Sequence, residues 1–252
     1  MVHFVGAGPG APDLITIRGA ELLKTADVIV YAGSLVNPAL LAYAKPGCEI
    51  RNSAEMTLEE VLEVMEAAER AGKTVVRLHS GDPSLYGAVR EQTDALEGRG
   101  VPWDVTPGVS SFCGAAASLG VGYTRPGVSQ SVVLTRAPGR TPVPDGEALR
   151  SLAAHGASMV LFLSGGETEA AQRELMESGG YSPHTPAAIV YKATWPDENI
   201  IRCTLGTLAE SGRRAGIRKS ALILVGDFLG ASGERSKLYD PTFSTEYRKG
   251  TT

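Results

Sequence analysis

Leu78-His79-Ser80-Gly81-Asp82-Pro83-Ser84-Leu85-Tyr86-Gly87 decides how this chain folds. The residues leading into it, Thr74-Val75-Val76-Arg77-Leu78, are a short β-branched run of the kind that makes a buried parallel strand. The residues after it predict a helix over 85–96, so Ser80 to Pro83 make a tight strand-to-helix turn. In open α/β sheets, ligands bind beyond such carboxyl ends of strands. Gly81 lets a ligand approach the backbone, Asp82 offers a fixed acceptor, and Pro83 stiffens the turn. Taken alone, the loop is better read as an ordinary connection.

Other turns change that balance. The chain opens with Val2-His3-Phe4-Val5 and then Gly6-Ala7-Gly8-Pro9-Gly10-Ala11-Pro12-Asp13. Gly6, Gly8 and Ala11 formally satisfy a dinucleotide fingerprint, but the context fails. Pro9 and Pro12 remove two backbone donors from the region that would cradle a pyrophosphate. The next strand, Val28-Ile29-Val30-Tyr31, ends in Ala32, Gly33 and Ser34, with no acid to hold a ribose diol. Asp27 precedes that strand and lies at the wrong end of the sheet. The same gap counts against a nicotinamide enzyme and against an ordinary Rossmann-type methyltransferase.

With 252 residues the chain can bury one large core or two modest ones. Its 43% hydrophobic and 21% charged residues match a soluble globular protein. The formal net charge of -4 counts against a general nucleic-acid binder, which carries a basic footprint, yet permits an anionic small substrate held by a local cluster of cations. Cys48, Cys113 and Cys203 are odd in number, widely separated and outside any CxxC spacing. They read as reduced filler in a cytosolic protein, and no metal site is expected. The chain enters its first strand without a charged-then-apolar leader, and no apolar run approaches the roughly 20 residues a membrane span needs. The expectation is a cytoplasmic protein with no membrane partner.

Along the first half, strand and helix signals alternate with short connections, as in doubly wound α/β domains. A helix over about 13–24 is expected with Asp13 as N-cap, and a short one near 38–43 begins at Pro38. The clearest helix starts at Thr57-Leu58-Glu59-Glu60, a capping box, and carries Leu58, Val61, Leu62, Met65 and Ala68 on one face. Thr106-Pro107-Gly108-Val109-Ser110-Ser111 then opens a small-residue helix over 111–119. Its two hydroxyls suit a polar or carboxylate-bearing ligand, or serve as a plain N-cap. A second strand-to-helix turn strengthens the first, because adjacent strand ends share one crevice. The expected domains are 1–122, a second α/β domain over 123–230, and a polar tail over 231–252. The second half carries more strand. Antiparallel pairing is expected where 200–203 follows 187–191 without room for a helix.

These blocks carry a family pattern. Val5-Gly6-Ala7-Gly8-Pro9-Gly10, Ala26-Asp27-Val28-Ile29-Val30-Tyr31, Gly81-Asp82-Pro83 and Pro107-Gly108-Val109-Ser110-Ser111 occur in the order seen in the tetrapyrrole methyltransferases, which the chain resembles to about Gly230. Tyr31-Ala32-Gly33-Ser34-Leu35-Val36, the block 135–142 and the block 191–198 resemble the branch that methylates C11 of precorrin-4 or its cobalt complex.

The resemblance implies an α/β fold of two domains, each a mixed or parallel sheet flanked by helices, and a homodimer. It implies S-adenosylmethionine folded into the cleft between domains, with S-adenosylhomocysteine as product. Carried over by position, the cofactor contacts fall on Pro9, Ser80, Gly81, Asp82, Leu85, Ser110, Ser111, Ser164 and Ala193. Ser164 stands where a relative has Met, and Ala193 where one has Gly, so those contacts differ in side chain. Relatives acting on uroporphyrinogen III place an Asp at the position of Ala32, which has no carboxylate to act as a base.

The electron-rich C11 carbon can attack the sulfonium methyl directly, so the enzyme mainly aligns the reactants and excludes water. No general base is assigned, because methylation makes C11 quaternary and the lost proton must leave from nitrogen. The substrate's acetates and propionates call for cations, and Arg125, Arg136, Arg140 and Lys192 are the candidates, each also readable as a solvated surface charge. Trp195 could stack on the macrocycle or simply pack. The competing readings are a sister tetrapyrrole methyltransferase, the diphthamide-forming methyltransferase diphthine synthase, and a non-catalytic cofactor-binding module.

Overall fold

The computed structural model describes residues 1–139, 141–230 and 233–251. The chain divides into two units, Met1–Ser118 with Lys192–Glu198, and Leu119–Tyr191 with the residues from Asn199 onward. Each unit is built on its own five-stranded sheet.

In the first unit β1 (Val2–Gly6), β2 (Val28–Tyr31), β3 (Glu49–Asn52), β4 (Val75–His79) and β5 (Trp103–Thr106) pair in parallel in the order β3-β2-β4-β1-β5. Helices α1 (Ile17–Thr25), α2 (Leu58–Arg70), α3 (Val89–Gly98) and α4 (Ser111–Leu119) complete it. Both faces of the sheet are covered, so its central strands β2, β4 and β1 are buried along almost their whole length. Val2, Phe4, Val28, Val30 and Val75 pack with Val61, Leu62 and Met65 of α2. Val5, Ile29, Val76 and Leu78 pack on the other face with Leu23 and Leu40. The expected capping box is present: Glu60 N donates to Thr57 Oγ1 at 3.3 Å and Thr57 N to Glu60 Oε2 at 2.7 Å.

Two helices start later than the sequence suggests. Pro12–Leu14 forms a separate 3-10 turn, and Thr16 rather than Asp13 caps α1, its Oγ1 accepting from Gly19 N at 3.1 Å. Ile15 and Thr16 are extended, so the chain is redirected between the two and the later hydroxyl becomes the cap. Residues 85–88 are not helical, because the turn begun at Asp82 continues through left-handed Tyr86 (φ 55°) and Ala88 (φ 48°). Gly87 lies so close beneath Pro83 that a Cβ there would sit 2.2 Å from its carbonyl oxygen.

Two polar side chains of β4 are buried. Arg77 Nε donates to Gln92 Oε1 at 3.0 Å and Nη1 to Val30 O at 3.3 Å, and burial lowers its pKa to about 10. His79 stacks on Phe4, with ring centroids 5.8 Å apart, and among the described residues its Nε2 has no hydrogen-bond partner. Burial, and then the charge of Arg77, push His79 down to about 3. The unfolded imidazole takes a proton near pH 6.5, which the folded ring refuses until about pH 3. The stability gained by burying the neutral ring is therefore complete above pH 6.5 and lost as the pH falls. By pH 5 the loss is about 2 kcal/mol. Urea unfolding at pH 7 and pH 5 checks this: His79→Phe should flatten the difference, and an undiminished pH dependence would count against it.

In the second unit β6 (Val132–Arg136), β7 (Ser158–Phe162), β8 (Pro186–Tyr191), β9 (Asn199–Thr204) and β10 (Ala221–Val225) lie in the order β6-β7-β10-β8-β9. β6 and β7 are parallel; the other pairs are antiparallel, including β8 with β9 as the short connection requires. Helices α5 (Leu149–Ala153), α6 (Thr168–Met176) and α7 (Leu208–Ala215) flank this sheet. Its core gathers Leu149, Met159, Leu161, Leu175, Ile189, Leu208 and Ile223. Beyond Gly230 the described chain is mostly exposed; Glu234 N donates to Pro126 O at 3.1 Å, and Arg248 Nη2 donates to the carbonyls of Leu238, Asp240 and Phe243. Among the described residues no helix is long and apolar enough to cross a membrane.

Candidate active site

The sheet order places β4 and β5 on either side of β1, not next to each other. Their turns nevertheless meet, because β1 ends in a glycine. A Cβ on Gly6 would lie 2.5 Å from Gly108 Cα and 2.7 Å from Gly81 O. Gly8 and Gly81 exchange backbone hydrogen bonds, Gly81 N to Gly8 O at 2.9 Å and Gly8 N to Gly81 O at 3.2 Å. Both glycines are left-handed, with φ of 81° and 61°, a conformation that other residues rarely adopt. Three turns thus form one backbone surface at the carboxyl edge of the sheet, where an α/β ligand belongs.

Asp82 ties that surface together. Its Oδ1 accepts from Ser84 N at 2.9 Å and from the Ser84 hydroxyl, and its Oδ2 accepts from Gly108 N at 2.8 Å. Burial pushes the carboxyl up, but the donors from Ser84 and Gly108 outweigh it and hold it below the usual carboxylate range. The acceptor expected to face a ligand thus spends both oxygens on the protein. Ser110 is buried, while Ser80, Leu85 and Ser111 are half-buried around the same turns.

The segment Lys192–Glu198 belongs to this unit and rests on the glycine-rich loop. Trp195 Nε1 donates to Pro9 O at 3.1 Å, and Thr194 Oγ1 accepts from Ala11 N at 2.9 Å. Gly10 leaves room for the indole: a Cβ there would be 2.0 Å from Trp195 Cδ1. Trp195 therefore packs on the loop, with Lys192 Nζ 4.9 Å above its ring. Lys192 Nζ also donates to Asp197 Oδ2 at 2.6 Å, a bond that holds the Asp197 carboxyl below its usual range. Glu198 Oε2 accepts from Thr194 N and from Ser118 Oγ, each at 2.6 Å. Sequence reasoning gave neither Thr194 nor Glu198 a role. Their only sequence signal was membership of the block 191–198.

At Ala32 and Gly33 the first unit offers no acid. Gly33 N donates to Asn52 Oδ1 at 3.1 Å, and a Cβ on Gly33 would collide with that oxygen at 2.2 Å. In the second unit Ser164 is fully buried after β7, its Oγ donating to Phe162 O at 2.6 Å and accepting from Ala137 N at 2.8 Å. Its neighbour Leu163 is 64% exposed and left-handed, with φ of 54°. Such strain in a bulky apolar residue beyond a strand end marks a constrained position that composition does not reveal. Arg136 donates from Nη1 to Thr141 O at 3.0 Å and from Nη2 to Pro142 O at 2.6 Å. Arg125 Nη1 donates to Gly230 O at 2.8 Å. Arg140 lies outside the described residues. Among the described residues no group of three His, Cys, Asp or Glu side chains gathers as a metal site would.

Comparison with known proteins places this geometry in context. Residues 1–209 match the family model described as tetrapyrrole (corrin/porphyrin) methylases. The chain is 53% identical over 249 residues to a cobalt-precorrin-4 C(11)-methyltransferase of Methanocaldococcus jannaschii, covering 98% of this chain and 96% of that protein. Among solved structures, the cobalamin biosynthetic enzyme cobalt precorrin-4 methyltransferase, CbiF, superposes with a TM-score of 0.89 at 48% identity, covering 91% of this chain and 96% of that one. A uroporphyrin-III C-methyltransferase from Thermus thermophilus, complexed with S-adenosylhomocysteine, gives 0.76 at 31% identity, covering 90% and 98%.

Proposed function

The chain belongs to the tetrapyrrole methylase family, and from that premise we propose that it transfers the methyl group of S-adenosylmethionine to C11 of precorrin-4 or its cobalt complex, in the making of cobalamin. The observation that carries this reading is the near-full-length match, at 53% identity, to a C(11)-methyltransferase. The lower identity and TM-score of the uroporphyrin-III relative favour the C11 branch over that sister activity.

The residues of the first unit suit the cofactor. Pro9, Ser80, Gly81, Leu85, Ser110, Ser111 and Ala193 offer backbone polar groups, two half-buried hydroxyls and apolar contact around glycine turns whose backbones pack directly on one another. Asp82 serves by fixing two of those turns to each other. Ser164 has its hydroxyl committed inside its own unit and offers backbone only.

S-adenosylmethionine supplies a methyl group already activated by its sulfonium. The chain's part is to hold carbon, methyl and sulfur in line and keep water out. The electron pair that makes the new carbon–carbon bond comes from the macrocycle, the carbon–sulfur bond breaks, and the proton leaves a pyrrolic nitrogen. Ala32 and Gly33 accord with a site that needs no carboxylate base. Arg125, Arg136, Arg140 and Lys192 are the cations proposed for the substrate's carboxylates. Donating to loop carbonyls orients Arg125 and Arg136, whereas Lys192 is partly neutralised by Asp197. A cytoplasmic homodimer is part of the same proposal.

The test is an assay with methyl-labelled cofactor against precorrin-4, cobalt-precorrin-4 and uroporphyrinogen III, with the new methyl located by NMR. Label at C11 of either precorrin is the expected result. Label on uroporphyrinogen III alone, or cofactor binding without transfer to any of the three, would overturn it.

A further inference from the structure

We propose that Glu198 is a positioning residue for cofactor binding, acting through Thr194 on Ala193 and on the glycine-rich loop. The proposal rests on the cofactor reading above. Thr194 is β-branched and sits at φ 69°, a conformation that such a side chain adopts only when its surroundings impose it. Lys192, two residues earlier, is left-handed as well, at φ 47°. The turn is closed by Trp195 N donating to Lys192 O at 3.0 Å, and the Glu198 carboxylate holds its middle by taking the Thr194 amide at 2.6 Å. The carboxylate is itself fixed by Ser118 Oγ on α4, also at 2.6 Å and on the same oxygen.

Two consequences follow for groups assigned to the cofactor. Ala193 is 5% exposed and has no polar side-chain atom, so only its backbone can hydrogen-bond to a ligand. The direction of that backbone is set by the dihedrals of Lys192 and Thr194 on either side. The turned Thr194 also delivers its Oγ1 to Ala11 N at 2.9 Å, while the next residue, Trp195, holds Pro9 O at 3.1 Å. These two bonds bracket Gly10, whose missing side chain admits the indole. One carboxylate therefore sets Ala193 and the stretch Pro9-Gly10-Ala11 together. Gly114 completes the seat, because a Cβ there would press on Pro9 Cβ at 2.8 Å and on Thr194 Cγ2 at 3.2 Å.

The experiment is calorimetric titration of the full chain with S-adenosylhomocysteine, paired with the KM for S-adenosylmethionine and kcat. Glu198→Ala should weaken binding roughly 10- to 100-fold and raise KM by the same factor, with kcat at saturating cofactor held within about twofold. Glu198→Gln keeps an oxygen able to accept both bonds and should stay within about threefold of wild type. Thr194→Ala, which removes the acceptor for Ala11 N, should weaken binding in the same direction, and Thr194→Ser should restore it. A Glu198→Ala protein that binds as tightly as wild type, or a Gln variant as impaired as Ala, would overturn the proposal. If Glu198→Ala does not fold, the Thr194 pair decides: equal affinity for Ala and Ser variants would overturn it. Failure of the wild-type chain to bind S-adenosylhomocysteine would instead overturn the cofactor reading itself.

Discussion

Gly108→Ala is expected to cost roughly 3 kcal/mol or more of stability and to abolish measurable cofactor binding. A Cβ at this position would lie 2.1 Å from Gly81 O and 2.7 Å from Gly6 Cα. Every atom in its way is backbone, so no side chain can rotate aside. The three turns beyond β1, β4 and β5 would have to separate, and the surface they form together would be lost with them. Gly98→Ala is the control, since no atom lies within 4 Å of a Cβ added there. It should leave cofactor affinity unchanged and change stability by no more than about 1 kcal/mol. Urea unfolding with S-adenosylhomocysteine titration checks both. A Gly108→Ala protein of normal stability and affinity would contradict the interlocked turns.

Asp82→Ala is expected to cost roughly 1.5–3 kcal/mol of stability, the range for losing charge-assisted hydrogen bonds, and to weaken cofactor binding because the turns it joins come apart. The variant strands Gly108 N and Ser84 N, both of which donate to this carboxylate. Asp82→Asn should recover part of the loss, because one oxygen remains to accept. The lowered Asp82 pKa adds a pH dependence of defined sign. Its contribution to stability is complete above the unfolded carboxylate pKa and is lost as the pH falls through the lower folded value. Binding titrations of both variants at neutral pH, compared with wild type, provide the measurement. Unchanged affinity in the Ala variant would leave Asp82 a purely structural role.

The central strands of both sheets were legible because they are short, mostly apolar runs bounded by turn residues, and their burial on two faces removed any alternation. Helix starts were less legible where two polar residues compete. Asp13 and Thr16 both suit an N-cap, and the extended backbone at Ile15, which settles the matter, leaves no mark in composition. Leu85 and Ala88 are good helix formers, yet the tight approach of Gly87 to Pro83 keeps the stretch 85–88 out of the helix.

At the candidate site, the Gly81-Asp82-Pro83 and Pro107–Ser111 turns announced themselves by residue type. What tied them together was invisible, because Gly6 meets Gly108 only after β1 has inserted between β4 and β5. The docking of Thr194, Trp195 and Glu198 joins residues far apart in sequence, and no local pattern encodes it. The cations were legible as cations, but the carbonyls that occupy Arg125 and Arg136 were not.

The central claim is that the turns after β1, β4 and β5 form one backbone surface that holds the cofactor. A crystal structure with S-adenosylhomocysteine bound tests it most directly. The expected complex has the ligand in contact with Pro9, Ser80, Gly81, Leu85, Ser110 and Ser111, and Asp82 still bonded to Gly108 N. A ligand lying extended along Gly6 to Gly10 in a dinucleotide-like pose, with the turns at 80–82 and 110–111 untouched, would contradict it.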